Sequence, residues 1–134
     1  MRITLLMAFM CLSAIFCKAQ YFIGNTKDEV LKHYSNEKKY EFIGTNTTKE
    51  GTKTTFRDRE STIDYTFLFN KDFICILHIL VAPKKNLLPL IKILNEDNTK
   101  IDNNIWMSKN NRIKIELQLK DDNPYFGLIC SEIK

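Results

Sequence analysis

The chain has 134 residues, 20 basic and 16 acidic, a net charge of +4 and 44% hydrophobic residues. That length suits one domain, and a small charge spread along the chain excludes the clustered basic face of a nucleic-acid binder. With two histidines and no Gly-x-Ser-x-Gly, His-Glu-x-x-His or Cys-x-x-Cys pattern, the nucleophile-elbow, zincin and thiol-redox chemistries lack their residues.

The N-terminus reads as an export signal. Arg2 precedes an apolar stretch from Ile3 to Phe16, interrupted by Thr4 and Ser13. Its 14 residues fall short of the about 20 that span a bilayer as a helix. Cys17 and Ala19 occupy the −3 and −1 positions of a cut before Gln20. Lipidation is not predicted, because bulky Phe16 precedes Cys17 and Met10 precedes Cys11 where a small residue is needed. The expectation is a signal peptide over 1–19, a single α+β domain over 20–134, and a periplasmic or secreted protein with no stable membrane anchor. Arg2 and Lys18 leave with the signal, so 18 basic residues then face 16 acidic ones.

Thr26 followed by Glu29 forms a capping box, with Asp28 in the first turn and Val30, Leu31 and Tyr34 as an apolar stripe. This predicts a helix over about 26–35, with His33 spaced to pair with Glu29. A strand around Tyr40–Thr45 and a hairpin turn near Gly51 follow. Ile63, Tyr65, Phe67 and Phe69 alternate with Asp64, Thr66 and Leu68, a half-buried strand ending in the turn Asn70–Asp72. "FICILHILVA" (Phe73–Ala82) is apolar on both faces except for His78, hence a central strand.

After Pro83, Asn86 and the stripe Leu87, Leu90, Ile91 and Leu94 predict a second helix over about 86–96, with Pro89 tolerated in its first turn. Asn95–Asn104 is rich in oxygen ligands but lacks the glycine turn and terminal glutamate of a calcium loop, so it reads as a polar connection. A strand with Trp106 as core anchor comes next. In the strand after it, Ile113, Ile115, Leu117 and Leu119 face in while Lys114, Glu116 and Gln118 face out. A doubly apolar strand, "YFGLICSEI", closes the chain.

The predicted fold class is therefore α+β, two-layer: tandem αβββ units forming one antiparallel sheet with two helices on one face. The stretch "IGNTKDEV" (Ile23–Val30), entering a helix ahead of an antiparallel sheet, resembles the opening of small exported envelope proteins of the SmpA/OmlA type. The tandem layout is similar to that of the β-lactamase inhibitor proteins. The "F-x-F-N…C" hairpin (Phe67, Phe69, Asn70, Cys75) resembles that of short exported Gram-negative bacterial proteins. Such resemblance implies a binding or accessory role, and no functional residue of these families is carried over to this chain.

The leading functional expectation is a secreted or periplasmic protein-binding module, inhibitor-like or accessory, not an enzyme and without a cofactor. If Cys75, Leu77 and Ile79 point at the helices, then Ile74, Ile76, His78 and Leu80, with Leu68, make an apolar patch on the open face of the sheet. Phe126 and Leu128 are expected to join it, with Lys114, Glu116 and Gln118 as a charged rim. Two alternatives stay open: a small exported hydrolase using His78, for which no partner group is identifiable, and an envelope protein that forms a homodimer by its sheet. Cys75 and Cys130 allow a disulfide, which an exported compartment permits, or two buried thiols. "RDRE" (Arg57–Glu60) reads as a solvated loop or a polar contact rim, and Asn46-Thr47-Thr48 is a glycosylation sequon in a eukaryotic secretory pathway.

Overall fold

A computed structural model describes residues 22–134; the signal peptide expected over 1–19, with its cut before Gln20, lies outside the described residues. Helix α1 spans Lys27–Ser35 and starts as its sequence dictates. The Thr26 amide donates to Glu29 Oε2 (2.9 Å) and the Glu29 amide to Thr26 Oγ1 (3.3 Å). Strands β1 (Tyr40–Thr48), β2 (Gly51–Asp58), β3 (Asp64–Phe69) and β4 (Cys75–Pro83) follow as hairpins. A 3-10 turn (Lys84–Asn86) leads into helix α2 (Leu87–Asp97), and β5 (Asn98–Asp102), β6 (Ile105–Ser108), β7 (Ile113–Gln118) and β8 (Tyr125–Glu132) complete the chain. Because the 3-10 turn holds Asn86 in helical backbone geometry, its side chain makes no cap bond.

The strands form one antiparallel sheet in the order β1-β2-β3-β4-β8-β7-β6-β5, giving a mixed α+β fold. Each helix is followed by four strands, one more than an αβββ unit holds. The additional strand of the second half is β5, in the segment whose composition predicts a polar connection. A sheet edge needs a neighbour on one side only, and all but one of the β5 residues are exposed. Apolar periodicity therefore has little to mark there.

One face of the sheet is the core face. One row crosses it from Thr54 through Phe67, His78, Cys130 and Ile115 to Trp106; another runs from Phe56 through Tyr65, Leu80 and Leu128 to Leu117. Val30 and Tyr34 of α1 and Leu90, Ile93 and Leu94 of α2 belong to the same buried cluster as these rows. Tyr34 stacks on Phe56 at 4.7 Å between ring centroids and lies 5.2 Å from Phe67. Trp106 Nε1 donates to Asn95 Oδ1 of α2 at 2.8 Å, which satisfies the one polar atom of a buried indole.

The turn between β3 and β4 fixes what comes after it. The Phe73 amide donates to the Asn70 carbonyl (3.0 Å) and the Asn70 amide to the Ile74 carbonyl (3.0 Å). Asn70 Oδ1 also accepts from the amides of Asp72 and Ile74, both at 3.0 Å. Phe73 sits at φ +58°, the position that such a turn usually gives to glycine or asparagine. The corresponding position in the β6–β7 turn is Asn111, at φ +59°. Immediately beyond, Phe69 pairs with Cys75 but Leu68 pairs with Leu77, so Ile76 is a bulged residue.

Candidate functional site

The bulge at Ile76 decides which side of β4 faces the core, because one inserted residue reverses the two-residue alternation for the rest of the strand. Cys75 points inward opposite Phe69, as anticipated, but after the bulge His78, Leu80 and Ala82 point inward instead of Leu77 and Ile79. His78 and Leu80 are each 1% exposed, so neither belongs to a surface patch. Phe126 and Leu128 are likewise buried on the core face, in register with Ala82 and Leu80. Leu68 does point away from the core, but Lys53 and Leu77 flank it and it is buried. Ile76 is partly exposed on the bulge, and Ile74 is half-buried in a bridge to Thr26. The structure thus divides the five residues and does not bring them together as one patch.

What the other face carries instead is continuous. Thr55, Thr66, Ile79, Ile129, Glu116 and Ile105 form one row across it. Lys53, Leu68, Leu77, Ser131, Lys114 and Met107 form the next, and Arg57, Asp64, Val81, Gly127 and Gln118 a third. At the centre, on β4 and β8, lie Leu77, Ile79 and Ile129, half-buried, and Val81, exposed, on the face opposite the buried cluster that includes residues of both helices. Opposite charges frame them. Arg57 binds Asp64 through Nε (2.7 Å) and Nη2 (3.1 Å), and Lys114 binds Glu116 at 3.1 Å. The hydrogen bonds and charge of the Asp64 carboxylate beside it raise the Arg57 pKa. Between Arg57, Thr62, Asp64, Val81 and Tyr125 is a shallow depression of about 480 Å³.

His78 has a different environment. Its ring lies 4.6 Å from Phe67 and 6.1 Å from Tyr65, with Cys130 opposite on β8. Neither ring nitrogen finds a hydrogen-bonding partner among the described residues, and burial lowers its pKa to about 3. A general base needs reach to a substrate proton and commonly a carboxylate to orient it; this imidazole has neither. Cys75 and Cys130 are free thiols, buried, with burial pushing both up to about 12. They stay protonated in the ordinary pH range and are inert by thiolate criteria. His33 pairs forward with Glu37 (3.6 Å) instead of back with Glu29, whose carboxylate is engaged at the Thr26 cap.

The sequence places Leu77 and Ile79 toward the helices and leaves Val81 and Ile129 unassigned because β4 and β8 are apolar in both alternations. The depression with Arg57, Asp64 and Tyr125 escaped it because those residues lie on three separate strands. Among the described residues no group of three or more His, Cys, Asp or Glu side chains is placed to hold a metal, and no helix is long and apolar enough to cross a membrane. No protein-family model matches the chain, and comparisons with curated proteins and with solved structures find no match.

Proposed function

We propose that the chain is an exported protein-binding module, accessory or inhibitor-like, whose contact surface is the non-core face of its sheet. The observation that carries this is the block Leu77, Ile79, Val81 and Ile129, four aliphatic residues adjoining on the two central strands, half-buried or exposed on the non-core face, with charged pairs on either flank. An apolar centre with a polar rim is the anatomy of a recognition surface. Arg57 and Tyr125, of two of the three residue types most enriched at binding hot spots, stand beside Val81. Export rests on the leader at 1–19, which gives a mature chain starting at Gln20. The finer architecture we propose is a tandem repeat of one helix and four strands, both helices on the core face. The shared buried cluster and the mirrored strand order around β4 and β8 support it. The layout for which the sequence resembles the β-lactamase inhibitor proteins is the tandem αβββ one, with one strand fewer in each half.

The test is Ile79→Glu, with the variant and wild type expressed in the native host and cross-linked in the envelope and secreted fractions. Wild type should carry an intact mass beginning at Gln20 and a specific cross-linked partner. The variant should keep its stability to within about 1 kcal/mol, as surface substitutions do, and lose that partner. Loss of several kcal/mol would make Ile79 a core residue, and an unchanged partner would place binding elsewhere. Either result overturns the reading.

A further inference from the structure

The two edges of the sheet are protected very differently. β5 is short, five residues, and carries Lys100 and Asp102, both exposed. Short, charged edges are how sheets avoid pairing with other chains. β1 has nine residues, and after Glu41 the run Phe42–Thr48 holds no charge and no proline. Among the described residues no strand lies beyond it, and Phe42 (57%) and Ile43 (45%) are exposed. A bulge between Phe42 and Gly44 leaves Gly44–Thr48 as the regular portion of the strand.

That portion is complementary to itself. On its inner side, Thr45 and Thr47 lie opposite Thr54 and Thr52 of β2 on the core face, with Thr45 Oγ1 3.2 Å from Thr54 Oγ1. Asn46 lies on the other face, opposite Lys53. A second β1, antiparallel and in the register that centres the regular run, sets Thr45 against Thr47, Thr47 against Thr45 and Asn46 against Asn46. The outer side of β1 then meets the same threonine pairs as its inner side, and threonine pairs across strands are stabilising. No like charges oppose one another, and the exposed Phe42 and Ile43 fall opposite residues 49–50 of the partner's turn.

We propose that β1 is a self-association edge, pairing with β1 of a second copy around a two-fold axis at Asn46 and joining two eight-stranded sheets. This is independent of the binding surface proposed above, which lies on the sheet's face.

The experiment is sedimentation equilibrium of the mature chain over a micromolar to near-millimolar series, for wild type, Asn46→Glu and Asn46→Lys. Within one chain a glutamate at 46 faces Lys53 and should leave the melting temperature unchanged or slightly raised. Across the two-fold axis it faces itself. Wild type should show a monomer–dimer equilibrium, and Asn46→Glu should weaken it by up to about fivefold, the upper end of a cross-strand pair energy when like charges sit directly opposite. An equimolar mixture of the two variants should restore association as a heterodimer. A wild type that stays monomeric throughout, an Asn46→Glu dimer as tight as wild type, or a mixture that does not recover would each overturn the proposal.

Discussion

Acidification should unfold this protein through His78, and the size of the effect follows from its site. The imidazole is 1% exposed, between Phe67 and Cys130 in the middle of a core row, and burial alone holds its pKa at about 3. The groups facing it are neutral, with the phenol of Tyr65 and the thiols of Cys75 and Cys130 shifted upward by burial. In the unfolded chain the same imidazole titrates near 6.5. Below that pH the unfolded state binds the proton and the folded state does not, so stability falls as pH falls. The contribution is fully present above pH 6.5 and is lost progressively down to pH 3. At 1.36 kcal/mol per unit, the loss over that window is roughly 4–5 kcal/mol. A domain of this size has only about 5–15 kcal/mol in total, so the acid limb should dominate its pH profile.

The assay is urea denaturation of wild type and His78→Leu at a series of pH values from neutrality to pH 4, comparing midpoints at constant slope. Wild type should lose stability steeply below pH 6.5. His78→Leu, with an apolar side chain among apolar neighbours, should keep most of its neutral-pH stability to about pH 5, below which carboxylates titrate in both proteins. Parallel curves for the two proteins between pH 6.5 and pH 5 would refute the assignment, because a common slope there means that His78 is not the titrating group.

Two further substitutions test the backbone. Phe73→Asn should raise stability by about 0.5–1 kcal/mol, because asparagine accepts the left-handed conformation that costs phenylalanine about 1–2 kcal/mol; the offset is the lost Lys27 ammonium contact with the ring at 5.6 Å. A lower thermal midpoint would show that the exposed ring is structural. Gly51→Ala should cost about 3 kcal/mol or more in urea titration, combining a disallowed backbone conformation with a steric clash. Gly51 sits at φ +140° and a Cβ there would run into the Phe69 carbonyl.

The elements most legible in the sequence are those where a single signal decides. The Thr26–Glu29 cap placed α1, and strict alternation placed β3 and β7, whose inward residues are buried as their spacing implies except Leu119, which lies just past the end of β7 and is exposed. β5 escaped because an exposed edge strand carries almost no apolar pattern. β4 was legible as a central strand but not in its facing. Its residues are apolar in both alternations, so nothing in "CILHIL" distinguishes the two, and no glycine marks the bulge at Ile76. Sending the one polar residue outward follows the usual rule for buried polar groups. Here the bulge overrode it, and His78 went into the core without a partner.

That reversal changes the residues of the proposed binding face without removing the reason for one. Because both alternations of β4 and β8 are apolar, whichever set packs on the core leaves an apolar set outside. With strict alternation the outward set would have been Ile76, His78 and Leu80, with an ionisable imidazole at its centre. With the bulge it is Leu77, Ile79 and Val81, joined by Ile129. The bulge therefore moves the titratable group from the surface to the interior. It leaves a wholly aliphatic centre outside, insensitive to pH itself, on a strand whose place in the folded protein depends on pH through His78.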